Sequence, residues 1–96
     1  MRTYTICGSM KFEKEMQEIA FYLETKKGWN IIQCVYNVTN SEISSDELDV
    51  LAKSHYAKID ISDGIYVVNI GGYIGESVSK EIEYAQENGK EVLYHC

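Results

Sequence analysis

The chain has 96 residues, 45% hydrophobic and 25% charged, with nine Lys and Arg against fifteen Asp and Glu for a net charge of −6. That length holds one core and leaves no room for a second, so residues 1–96 read as a single domain. The scattered basic residues argue against a groove for nucleic-acid polymers, and the absence of a long apolar run argues against a membrane span.

The first element is an apolar, β-rich strand at Thr3–Cys7, ended by Gly8-Ser9. From Lys11 the period changes: Phe12, Met16, Ile19, Ala20 and Leu23 mark one face of an amphipathic helix, with Ser9 placed to cap it and Gly28 to end it. Trp29–Tyr36 is β-branched and aromatic and reads as a second strand. After a polar stretch, Ser44 and Glu47 form the signature of a capping box for a second helix, in which Leu48, Leu51, Ala52, His55 and Ile59 share a face. Ile65–Ile70, apolar except for Asn69, is expected to be a strand buried on both faces. The turn Gly71–Gly75, a helix over Ser77–Glu87, a stop at Asn88-Gly89 and a strand over Glu91–His95 complete the chain.

Strands alternating with helices predict an α/β fold: a three-layer, Rossmann- or flavodoxin-like four-stranded parallel sheet in order 2-1-3-4, with helices on both faces. In such a sheet the ligand crevice opens where the strand order reverses, between the C-terminal ends of the first and third strands. Those ends are Gly8-Ser9 and the Gly71–Gly75 turn. Glycines there allow close approach of a ligand, and the following helix start offers free amides to an anion.

The cysteines Cys7, Cys34 and Cys96 match neither a disulfide framework nor a zinc-site spacing. They suit reduced thiols in a cytoplasmic protein, with Cys7 and Cys34 as small buried hydrophobes. The chain opens with no charged-then-apolar leader, which agrees with a cytoplasmic location. No metal and no organic cofactor is expected. Two ionisable residues break the apolar pattern. Glu81 falls on the stripe of Val78, Ile82 and Ala85, and His55 falls among Leu48, Leu51, Ala52 and Ile59. Each has a plain reading, Glu81 as a stripe-edge carboxylate reaching water and His55 as a satisfied core imidazole. Each also has a functional one, because a carboxylate buried at a crevice is costly unless paired or used.

Cys7-Gly8-Ser9-Met10, Ser62-Asp63-Gly64-Ile65-Tyr66-Val67-Val68, and Glu81-Ile82-Glu83-Tyr84-Ala85 followed by Gly89-Lys90-Glu91-Val92 resemble, in order, motifs of one superfamily. It is that of the nucleoside 2-deoxyribosyltransferases and 2′-deoxynucleoside 5′-phosphate N-hydrolases. The resemblance implies that Glu81 is a nucleophile attacking the anomeric carbon of a nucleoside or nucleotide, by the logic of retaining glycosidases. It implies that Gly8, Ser9 and Met10 line the sugar pocket, and that Ser77 and nearby amides hold a 5′-hydroxyl or 5′-phosphate. His55 stands where relatives carry an aspartate, so it becomes the proton donor to the leaving base, and Glu83 replaces a glycine. With the Gly-rich turn included, the expected substrate-binding set is Gly8, Ser9, Met10, Asn69, Gly71, Gly72, Tyr73, Gly75, Glu76 and Ser77, beside the catalytic pair Glu81 and His55.

The sequence thus carries three functional expectations: an N-glycosidase or deoxyribosyltransferase, a nucleotide-binding module acting as sensor or sponge without efficient turnover, and a plain interaction domain. The small core and the resemblance both point to a homo-oligomer, a dimer or larger.

Overall fold

The computed structural model describes every residue, Met1–Cys96. Strand β1 (Thr3–Gly8) leads to helix α1 (Glu13–Lys27), β2 (Asn30–Ile32), α2 (Ser45–Asp60), β3 (Gly64–Val68), α3 (Glu76–Glu87) and β4 (Glu91–Tyr94). One-turn 3-10 segments, Met10–Phe12 and Ile70–Gly72, stand before α1 and α3. All strand pairs are parallel, in the order β2-β1-β3-β4. The α/β fold with strand order 2-1-3-4 is therefore the one the alternating pattern predicts. No helix is long and apolar enough to cross a membrane.

Strand alternation sorts the core into two clusters, one on each side of the sheet. Tyr4, Ile6 and Val68 point to the α1 side, where Met16, Ala20, Leu23 and Ile31 close over them. Cys7, Ile65 and Val67 point the other way, against Ile59 of α2 and Val78 and Ala85 of α3. Burying each such aliphatic side chain is worth about 1.5–3 kcal/mol. Thr5, fully buried on the α2 side, is satisfied by Ser62 Oγ at 2.6 Å and the Lys58 carbonyl at 3.0 Å, which ties the end of α2 to β1. Gly64 admits the close approach of β4: a Cβ there would lie 2.4 Å from the Glu91 carbonyl oxygen.

Local signals hold where a chemical partner is named. Ser44 Oγ accepts from Glu47 N at 3.1 Å while Glu47 Oε1 accepts from Ser44 N at 2.9 Å, completing the capping box of α2. Ser9 does accept a backbone N–H, that of Lys11 at 3.4 Å, but it caps the 3-10 turn, and α1 proper begins at Glu13 without a side-chain cap.

The second strand is much shorter than its composition predicts. Composition predicts a strand over Trp29–Tyr36, and the strand runs only over Asn30–Ile32. It is an edge strand that pairs with Thr3–Thr5 of β1 alone. Beyond Ile32 the chain leaves the sheet, and Cys34 and Tyr36 pack against the α1-side cluster from outside the ladder. β-propensity reflects packing on a pleated surface, and here that packing is met without strand pairing. The third strand likewise stops at Val68, and Asn69 and Ile70 enter the turn.

Candidate active site

A cleft of about 620 Å³ opens at the C-terminal ends of β1 and β3, within the usual range for small-molecule sites of about 300–1,000 Å³. Gly8, Ser9 and Met10 line it from the end of β1. Tyr73, Gly75, Glu76 and Ser77 line it from the connection into α3, with His55 and Glu81 at its base. The far wall is apolar: Val35 and Ile43 from the segment after β2, then Leu48, Leu51 and Ala52 from the first half of α2.

Three residues of the expected set do not line the cleft. Asn69 is a buried clamp on the end of the chain, its Oδ1 accepting from Cys96 N at 2.8 Å and its Nδ2 donating to Cys96 O at 3.3 Å. Both ends of its amide bond the Cys96 backbone, so its place in an apolar run has a structural cause. Gly71 and Gly72 take left-handed φ values of 64° and 80° and shape the turn that carries the chain to Tyr73. They serve the site by aiming their successors.

His55 and Glu81 meet although they come from different helices. Nε2 of His55 lies 3.3 Å from Glu81 Oε1, with the two side chains only 12% and 16% exposed. Each sits on an apolar stripe, and the two helices pack against the same face of the sheet. Cys7 joins them from β1, its Sγ 3.3 Å from the same Nε2. Burial pushes the Cys7 thiol well up, and the neighbouring negative charge of Glu81 adds to that shift. The group is therefore a neutral thiol rather than a nucleophile. Burial raises Cys34 and Tyr56 in the same direction, and the charge of Glu81 contributes to both.

The mouth has a different character. No side chain caps α3, whose N-cap is Gly75, so the amides of its first turn lack a capping acceptor. Tyr73 stands at the rim, edge-on to Phe12 at 6.0 Å between ring centroids and with Lys11 Nζ 3.3 Å above its ring. Lys58, one turn beyond His55 in α2, lines the cleft and makes no ion pair.

Cys34, Lys58 and the apolar wall line the cleft without being singled out by the sequence pattern, and Cys7 lies buried behind it against His55. Lys58 had a signal, since it lies on the face of α2 that carries His55. Cys7 had one too, as the inward residue next to Gly8. Cys34 and Val35 had none, because their place depends on where β2 ends.

No family model matches the chain, and no curated protein matches it. A crystal structure of a conserved protein from Enterococcus faecalis V583 is similar in fold, with a TM-score of 0.68 and 15% identity over 98% of this chain. The chain spans 62% of that protein's length. At such identity the likeness shows the fold alone.

Proposed function

We propose that the protein cleaves or exchanges the N-glycosidic bond of a nucleoside or nucleotide, with Glu81 as nucleophile. The observation that carries this reading is the His55–Glu81 contact at the base of a cleft of nucleotide size, placed at the switch point of the sheet. The motif resemblance at Cys7–Met10 and Glu81–Ala85 points to the same carboxylate.

In this reading the Glu81 carboxylate forms a bond to the anomeric carbon as the bond from that carbon to the base breaks. The departing base takes up a proton from solvent, and water or a second base then displaces the glycosyl ester, giving up its own proton to solvent and freeing the Glu81 carboxylate. His55 Nε2 lies on the nucleophile's own oxygen, whereas the base departs from the opposite side of the sugar. That favours His55 as the group that orients Glu81 over His55 as proton donor to the base. The apolar wall of Leu48, Leu51 and Ala52 suits a base or sugar face. Lys58 and the uncapped amides of α3 suit a 5′-phosphate.

The test is release of free base from a panel of deoxynucleosides and their 5′-monophosphates. Glu81→Ala is expected to lower that release on the order of a thousandfold or more, as loss of a covalent nucleophile does. Release that survives the substitution would remove Glu81 from the mechanism. Thermal stabilisation by a nucleotide without any release would identify a binding module instead. A cytoplasmic homodimer belongs to the same proposal and is supported by exposed apolar side chains at Val35, Val38, Leu48 and Val50. Light scattering that finds a monomer would reject it.

A further inference from the structure

Cys7, His55 and Glu81 share a second property, their value as metal donors. Sγ and Oε1 each lie 3.3 Å from the same Nε2, and donor atoms of all three residues fall within 4.8 Å of one another. A ring nitrogen carries at most one hydrogen and cannot serve a thiol and a carboxylate equally. Hydrogen bonding can satisfy the groups, with Nε2–H donating to Glu81 and the Cys7 thiol turned to the Thr5 carbonyl at 3.8 Å, and the same three donor atoms also lie within reach of a single cation.

We propose that Cys7, His55 and Glu81 form a three-donor site for a divalent cation of the Zn2+ class, with its fourth coordination position facing the cleft. Tetrahedral zinc, with Zn–S near 2.3 Å and Zn–N and Zn–O near 2.0–2.2 Å, places donor pairs about 3.3–3.6 Å apart. Two edges of the observed triangle are already 3.3 Å. One donor comes from a central strand and two come from helices packed on it, and the third edge, within 4.8 Å, closes to tetrahedral spacing by side-chain adjustment on binding. A thiolate, an imidazole and a carboxylate select zinc, cobalt or nickel over magnesium and calcium, which prefer all-oxygen shells. On binding, the Cys7 thiol becomes a thiolate and its proton passes to solvent. The donors lie far apart in the chain, the first two separated by 48 positions, so no zinc spacing is visible in the sequence.

The site stands on its own geometry. One consequence rests on the proposed glycosidase reading: a bound cation occupies the Glu81 carboxylate, so zinc would suppress base release.

The experiment is a Co2+ titration of the metal-free protein, read by the thiolate-to-cobalt charge-transfer absorption in the near ultraviolet and by displacement with Zn2+. A saturable band, lost in Cys7→Ser and kept in Cys34→Ser and Cys96→Ser, is the expected result. His55→Ala keeps the thiol and avoids disturbing the strand, and it should weaken Co2+ binding by at least about tenfold, since loss of even an outer-shell partner costs about 10–100-fold. The absence of a saturable band, a band that survives Cys7→Ser, an unchanged affinity in His55→Ala, or displacement by Mg2+ would each overturn the site. Base release assayed without metal separates the two ideas. Cobalt binding with no release leaves the metal site standing, and release with no cobalt binding leaves the glycosidase standing.

Discussion

The two faces of the sheet are built differently. On the α1 side, Met16, Ala20 and Leu23 close over Tyr4, Ile6 and Val68 along the length of the helix, and all six side chains are buried. On the other side only the last turn of α2 reaches the core. Ile59 is fully buried, while Leu48, near the start of the same helix, is 53% exposed. The apolar stripe of α2 is continuous, yet half of it packs and half stands away from the sheet as the wall of the cleft. Hydrophobic periodicity therefore predicts a face, and the surrounding chain decides whether that face becomes core or binding surface.

The sharpest way to break this comparison is to truncate one side chain on each face. Met16 is wholly buried, and Met16→Ala should cost about 2–5 kcal/mol from lost transfer energy and the cavity left behind. Leu51 lies on the cleft wall and is only partly covered, so Leu51→Ala should cost less than about 1 kcal/mol while weakening nucleotide binding. Urea denaturation of both variants, with ligand-induced thermal shifts, measures the two effects. Equal destabilisation would mean that the wall is part of the core.

A smaller effect tests what holds that wall in place. With little tertiary packing in its first half, α2 depends on its Ser44–Glu47 capping box. Ser44→Ala should cost about 1 kcal/mol. The loss should appear first as faster amide exchange in the first turns of α2, with exchange in β1 and β3 unchanged. Uniform acceleration across the sheet would show that the wall and core unfold as one unit.

The same contrast explains how much was legible in the sequence. The sheet order was, because alternating periods of two and 3.6 leave few ways to connect parallel strands. Glu81 and His55 stood out because each breaks an apolar stripe, a signal carried by one helix at a time. Their mutual contact was not legible, since it depends on how two helices lie across the sheet. Asn69 misled for a related reason. A polar residue in an apolar strand announces a buried hydrogen bond, and its partner proved to be Cys96 rather than a ligand. The end of β2 was the least legible feature, because Trp29–Tyr36 has strand composition throughout and only the ladder to β1 decides where pairing stops.

The mildest prediction concerns acid, where the two faces should again separate. Glu91 accepts from the Tyr4 hydroxyl at 2.6 Å and from Arg2 at 2.9 Å, beside the closed α1 side, and these bonds hold its carboxyl below the usual range. Glu47 is held low by its bonds to Ser44, on the open side. A carboxylate whose pKa is lower in the folded chain adds stability that is present above the ordinary carboxylate range, near 4.3, and is lost as pH falls through the folded value. Stability should therefore decline on the acid side as both groups take up protons. Glu91→Gln should flatten that decline in the global melting temperature. Glu47→Gln should flatten it mainly in the local exchange of α2, because the wall it caps contributes little to the global transition. Melting curves and amide exchange between about pH 7 and pH 3 read both. A Glu91→Gln variant with the parent's acid slope would show that its three-group contact persists in the unfolded chain or carries no net free energy.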